Sequence, residues 1–318
     1  MHLLIPFASA VAEAAEHVLR EAELPNLARL LRELAPASED RADEYTLSPP
    51  HERALAGLRG WRGADGALPF AAHAAAADGI DVGTAAWGLL TPVHWHVGRD
   101  TVTLVDPSAL ALNADESRAL FDAVRELFAS EGLAPTWGAA GRWYVAADGL
   151  DGYPTASIDR AIGRSVDHWL RSQGELPDAA RRLSRTVQRL QSECQMLLYS
   201  HPVNEAREGR GTLPVNSFWL SGCGRAQPTP ALDVVVDSSL RTPMLAGDWR
   251  GWAAAWRALD AGTVGSLADA ASRGEHVALT LCGERAWQRL ERAPRSWLGR
   301  VAARWQRGEP VQQRLLAL

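Results

Sequence analysis

Apolar positions recur along this chain with two different periods, and the changes of period mark its elements. His2–Phe7 is a short apolar run of the kind that makes a buried strand. Val11–Leu34 follows with helical spacing, interrupted at Pro25-Asn26. The polar stretch Pro36–Asp43 reads as a loop. Ser48-Pro49-Pro50 opens a helix with proline where the missing N–H costs nothing, and the alanine-rich Leu68–Ala77 is helical. From Pro92 the pattern becomes alternating, giving strands at Val93–Val97, Thr101–Val105 and Arg142–Val145. Between them Asn113–Glu116 caps an amphipathic helix, Ser117–Ser130, with Leu120, Val124, Leu127 and Phe128 on one face.

A long helix, Pro177–Leu198, is broken by His201-Pro202-Val203-Asn204, where Asn204 serves as a turn or N-cap residue. Glu208–Thr212 reads as a charged loop, and Ser217–Leu220 as a buried strand ending in Gly222-Cys223-Gly224. Strands at Leu232–Val236 and Val277–Leu281 flank a helix, Trp249–Leu259. Strands alternating with helices predict an α/β protein. Its core is begun at the N-terminus and completed after Asn216, with a smaller α+β module between.

Composition changes this picture little. Lysine is absent and all 33 cationic side chains are arginine, a coding bias that weakens any argument from arginine abundance. The net charge of −5 hides one asymmetry: eight arginines from Arg285 to Arg314 stand against Glu291 and Glu309, with Trp287, Trp297 and Trp305 among them. Such a tail offers a contact for nucleic acid, anionic lipid or an acidic partner. The favoured reading is an amphipathic helix with its Trp face packed and its Arg face solvated. Met1–Phe7 is too short and lacks the basic start of a signal peptide, and no apolar stretch is long enough to span a bilayer, so a cytoplasmic protein is expected.

Few residues offer chemistry. A phosphate-binding glycine loop needs a helix directly behind it, but extended Arg225–Pro230 follows Gly222-Cys223-Gly224, so these glycines serve close approach of a neighbour. His94 and His96 share one face of a strand with Asp100 close by, a weak metal candidate against the plainer reading of hydrogen-bonded histidines. Asp167-His168 lacks a G-x-S-x-G serine. Cys194, Cys223 and Cys282 are too far apart in sequence for a CxxC pair and read as buried thiols, Cys223 included. Trp249, Trp252 and Trp256 form a helical stripe of the core type.

One constellation is more specific. His201-Pro202-Val203-Asn204-Glu205 with Arg207, then Gly211-Thr212-Leu213-Pro214-Val215-Asn216, then a strand ending Gly222-Cys223-Gly224, resembles the archaeal-type cofactor-independent phosphoglycerate mutases of the alkaline phosphatase superfamily. Leu24-Pro25-Asn26-Leu27 is similar to that family's N-terminal turn. The overall likeness is greatest to bacterial RpfE-type regulatory proteins, often labelled phosphoglycerate mutases by similarity. The resemblance implies an alkaline-phosphatase-like core sheet flanked by helices, residues 1–92 and 203–318, with an inserted α+β domain over 93–202. Asp106, Arg142 and Asp159 fall in that insertion, and Asp106–Leu110 stands where the family has an arginine-rich substrate stretch. Asp106, Arg142, Asp159, Asn204, Arg207 and Asn216 are thus candidates for holding a ligand or for tying the module to the core.

The family's chemistry needs a Ser or Thr nucleophile beside two divalent cations held by Asp and His. Here the first strand runs into Pro6-Phe7-Ala8-Ser9 instead of an Asp. Ser48 is a relic of the nucleophile with no Asp after it, and Cys282-Gly283-Glu284-Arg285 puts an arginine where an imidazole is needed. The expectation is therefore a catalytically degenerate member without cofactor, acting on a protein partner or a small anionic ligand. The alternative is an active mutase or phosphohydrolase with two ions such as Mn or Zn, using His51, Asp248, Glu284 and His276.

Overall fold

The computed structural model describes residues 1–171, 176–292 and 310–318. The chain opens with β1 (His2–Ile5), α1 (Glu13–Glu21), α2 (Pro25–Glu33), β2 (Leu34–Arg41) and α3 (Pro50–Leu58). Next come α4 (Phe70–Ala77), β3 (Ala86–Val93), the short pair β4 (Trp95–Val97) and β5 (Val102–Leu104), α5 (Ala114–Ser130), β6 (Ala134–Ala139) and β7 (Arg142–Ala146). They are followed by α6 (Ile158–Ala161), α7 (Val166–Arg171), α8 (Asp178–Tyr199), α9 (Pro202–Gly209) and β8 (Ser217–Arg225). The last elements are β9 (Val234–Val236), α10 (Arg241–Leu245), α11 (Trp249–Leu259), α12 (Gly265–Arg273), β10 (Ala278–Cys282), β11 (Ala286–Arg292) and α13 (Val311–Leu316). Among the described residues no helix is long and apolar enough to cross a membrane. Most of the Arg- and Trp-bearing C-terminal segment, including Trp297 and Trp305, lies outside the described residues.

The protein is α/β, with a mixed sheet in one compact unit and an antiparallel sheet in a second. The first unit comprises Met1–Glu44, Pro49–Arg59 and Pro230–Leu318; the second comprises Tyr45–Ser48 and Gly60–Thr229. This division differs from the expected 1–92 and 203–318 against 93–202. β3 and β8 are the reason: they pair along their whole lengths, so both strands and the segments beside them belong to one unit.

In the first unit the strand order is β2-β11-β10-β1-β9. β1 runs parallel to both β10 and β9, its neighbours in space. A strand covered on both faces reads as an unbroken apolar run, and His2–Ile5 does. Leu3 and Ile5 join a core with α1, α2, α11, α12 and α13, whereas Leu4 packs with Ala54 of α3 and Cys282. The stretch expected as a loop is β2, an edge strand whose central residues are exposed on both faces and so carry no alternation to read. Its antiparallel pairing to β11 supplies the order, and Pro36 is tolerated because it sits at an edge beside a register shift.

The Pro25-Asn26 interruption has a distant partner. Asp260, 3% exposed in a π-helical turn after α11, accepts from the backbone N–H of Leu27 at 2.7 Å and of Asn26 at 3.1 Å. Asn26 Nδ2 donates back to the Asp260 carbonyl at 3.1 Å. A carboxylate thus satisfies the orphan donors that open α2.

In the second unit the order is β6-β7-β3-β8. α5 and α8 cover one face, α8 through Val187, Leu190, Cys194 and Leu198, and α4 covers the other. Gly222 and Cys223 stand opposite the single residue Gly88, a β-bulge. Gly222 has φ +66°, and a Cβ there would lie 2.9 Å from the Ala71 nitrogen at the start of α4. The close approach is thus made by a helix of the same unit.

His2 is 8% exposed and shares a 2.8 Å hydrogen bond with Thr280 Oγ1. Burial, aided by Arg289, lowers its pKa to about 4 from an ordinary 6.5. The unfolded chain therefore takes up this proton first as pH falls, and the native state loses stability between about pH 6.5 and about pH 4. In urea titrations the stability difference between wild type and His2→Gln is expected to be constant above pH 7 and to shift in favour of the variant across that window. A difference that does not change with pH contradicts this account of His2.

Candidate functional site

In open α/β sheets ligands bind outside the carboxyl ends of the parallel strands. In the first unit that edge is formed by the ends of β1, β10 and β9. After β1 the chain turns at Phe7, which has φ +58°, a strained conformation for a bulky residue, costing on the order of 1–3 kcal/mol. Several contacts impose it. Ala8 N donates to Cys282 O at 2.7 Å, Trp252 Nε1 donates to Phe7 O at 3.1 Å, and the Phe7 ring lies 5.0 Å from that of His51. Glu284, after β10, accepts from Val11 N at 2.6 Å. Asp237, after β9, accepts from Ser239 N at 3.1 Å and from the Thr263 hydroxyl at 3.2 Å. The residue that turns the chain after the central one of these three strand ends is thus a buried aromatic, packed on His51.

The residues needed for the metal-enzyme alternative are not all brought together. His51 opens α3 and Glu284 follows β10, but His276 precedes β10 at the opposite end of that strand. At about 3.3 Å per residue the strand alone separates them by more than the reach of shared cations. Asp248 caps α11, its Oδ1 accepting from Gly251 N at 2.9 Å. Arg285 forks onto Glu44 at 2.7 and 3.0 Å. Ser48 lies in the second unit, 2% exposed, its Oγ accepting from Gly66 N at 2.9 Å and its N–H bound to Asp65. Among the described residues no group of three or more His, Cys, Asp or Glu is placed to hold a metal ion. This donor set does not fit a two-metal centre.

In the second unit the motif residues form one network. Asn204 is the third residue of α9, not its cap; His201 Nδ1 caps that helix by accepting from Val203 N at 3.2 Å. Pro202 at the first position favours helix here, and α9 takes up Glu208 and Gly209 of the expected loop. Asn204 Nδ2 donates to Leu198 O at 2.8 Å and Val215 O at 2.7 Å, and its Oδ1 accepts from Val215 N at 2.9 Å. Arg207, 1% exposed, donates to Leu213 O at 2.9 Å, to Glu116 at 2.5 Å and to Leu110 O. Arg210 also binds Glu116. Burial acts to raise the Glu116 carboxyl, but Arg210 and Arg207 outweigh it and hold the group below its usual range. Leu110 ends the short 3₁₀ helix Pro107–Leu110 that Asp106 caps by accepting from Ser108 N at 2.9 Å. Asn216 pairs its side chain with both backbone groups of Trp95, at 2.7 and 2.9 Å, and His94 Nδ1 donates to Pro214 O at 2.9 Å.

The other candidates lie apart from this network. His96 is exposed on β4. Arg142 forks onto Asp78 at 2.8 and 2.7 Å, and Tyr144 OH donates to the same carboxylate at 2.7 Å. The Arg142 hydrogen bond holds Asp78 below the usual carboxylate range. Asp159 lies in the first turn of α6, its N–H on Ser157 Oγ at 3.4 Å. His168 is exposed, its ring 5.0 Å from Tyr45 and 4.8 Å from Trp169. Burial pushes the thiols of Cys194 and Cys223 up to about 12 and that of Cys282 up as well, so none is a poised nucleophile. Glu116, Asp78 and Asp260 were not legible as partners, because each meets a cation or amide from a distant segment.

No family model matches this chain, and no curated protein does. Two solved structures are similar to it at low identity. The cofactor-independent phosphoglycerate mutase from Thermoplasma acidophilum DSM 1728 is 14% identical over 92% of this chain and 90% of its own, with a TM-score of 0.33. The PH0037 protein from Pyrococcus horikoshii is 11% identical over 92% and 87%, with a TM-score of 0.44. Neither likeness assigns a role to any residue here.

Replacing Asn216 with Ala strands both backbone groups of Trp95, and an unpaired buried backbone group costs on the order of 1–3 kcal/mol. Urea denaturation of Asn216→Ala is expected to show a loss in that range. Stability equal to wild type would remove Asn216 from the structural network.

Proposed function

We propose that this chain is a phosphoglycerate mutase-like protein of the alkaline phosphatase superfamily that has lost the metal machinery and acts by binding. The observation that carries the reading is the donor set at the carboxyl edge of the mixed sheet. Phe7, packed on His51, occupies the strand end where the resemblance calls for an Asp, and Arg285 is engaged with Glu44. Neither a phenyl ring nor a guanidinium donates an electron pair to a cation. Among the described residues, two-metal phosphoryl transfer therefore lacks the ligand shell it needs. The Asn204, Arg207 and Asn216 network supports the same reading, since each of these side chains is engaged with the protein itself.

Elemental analysis of protein purified without chelator is expected to find no stoichiometric Mn, Zn or Mg. Added Mn²⁺, Zn²⁺ or Mg²⁺ is expected to elicit neither 3-phosphoglycerate isomerisation nor phosphomonoester hydrolysis. Two tightly held ions per chain, or metal-dependent turnover, would overturn the proposal.

A further inference from the structure

In the second unit α8 buries one face through Val187, Leu190, Gln191, Cys194 and Leu198. The opposite face carries Arg182, Arg185, Arg189, Ser192, Met196 and Tyr199, all exposed and alternately three and four positions apart. That spacing keeps the side chains in one line, the seam along which two helices pack. Tyr199 is 86% exposed and Met196 69%, more than any other large apolar residue among the described residues. Arg182 and Arg185 make no hydrogen bond or ion pair among the described residues, whereas Arg181 binds Asp178. Arg189, at the middle, lies 2.5 Å from Glu131 and 3.7 Å from Glu193. The seam is thus cationic in its first half, neutralised at its centre and apolar in its last turn.

The two halves complement each other when one helix is reversed. We propose that α8 pairs antiparallel with α8 of a second copy of this chain, about a two-fold axis level with Leu190 and Gln191. This register sets Arg182 against the partner's Tyr199, Arg185 against the partner's Met196 and Arg189 against the partner's Ser192, each contact made twice. A guanidinium over a tyrosine ring is a favourable cation–π contact. An arginine can also cover a methionine with its methylenes while its head stays in water. Parallel pairing would stack Arg182 on Arg182 and Arg185 on Arg185; the antiparallel register keeps the two cationic halves at opposite ends and avoids that repulsion. An anionic bilayer, which would also attract these arginines, would meet the exposed Asp178 carboxylate beside them. The pairing does not depend on the proposed loss of metal chemistry, and either can fail without the other.

Sedimentation velocity of the full chain over a concentration series tests it. One helix pair buries less than the ~1,600 Å² of a standard interface, so half-dimerisation is expected on the order of 10–100 µM. Arg182→Glu and Tyr199→Ala are each expected to weaken the dimer at least about tenfold. The double variant Arg182→Glu, Tyr199→Arg is expected to restore it, because its new opposite charges face each other only across an antiparallel pair. A short bismaleimide cross-linker is expected to join two chains through Ser192→Cys, near the axis, and not through Arg182→Cys, whose twin lies about 25 Å away along the paired helices. The three native thiols are buried and do not compete. Positions 182, 192 and 199 are exposed, so melting curves of these variants are expected to match wild type. A monomer at every concentration up to about 1 mM, a dimer indifferent to both single variants, no restoration by the double variant, or cross-linking through Arg182→Cys and not Ser192→Cys overturns the proposal. So does a monomer that floats with phosphatidylglycerol vesicles, which would give this face to a lipid surface.

Discussion

The first unit depends on one pairing constraint, the parallel insertion of β1 between β9 and β10. Four residues from the start of the chain form an inner strand whose neighbours in the sheet come more than 200 residues later. The loop-closure cost of such pairings is met by burying both faces of β1, with Leu3 and Ile5 on one side and Leu4 on the other. Asp260 makes a second link of the same range, fixing the start of α2 from the end of α11. The strand that holds the sheet together also delivers Phe7 to its carboxyl edge. The chemistry of that edge is therefore set by which residue follows β1.

An aromatic residue in a left-handed turn is an expensive choice. It persists because the surroundings determine it several times over: a backbone bond to Cys282, an indole donor from Trp252 and a ring contact with His51. The same economy governs the second unit. There the polar motif residues are consumed in place, Asn216 acting as a substitute strand partner for Trp95 and Arg207 collecting Glu116 and two carbonyls. Conspicuous Asn, Arg and Pro in a sequence can thus record the cost of an irregular backbone path as well as a ligand site.

Much of the α/β order was legible because β1 is an unbroken apolar run and α5, α8 and α11 carry clean helical periodicity. β2 was not, since a polar edge strand has no buried face to create alternation and is ordered only by its partner β11. The helix α9 was hidden by Pro202, which starts a helix as readily as it ends one. The Gly222 approach was legible as a need for space, but the neighbour that uses the space, α4, was not.

The central proposal is that side-chain packing closes the carboxyl end of β1 to a cation. Its most direct measurement is the paramagnetic effect of one equivalent of Mn²⁺ on the ¹H–¹⁵N spectrum of the labelled protein. The account predicts that the amides of Phe7, Ala8 and Gly283 keep the intensity they have in the metal-free sample, like those of β6 in the second unit. Selective broadening of those three amides at stoichiometric Mn²⁺ would contradict it.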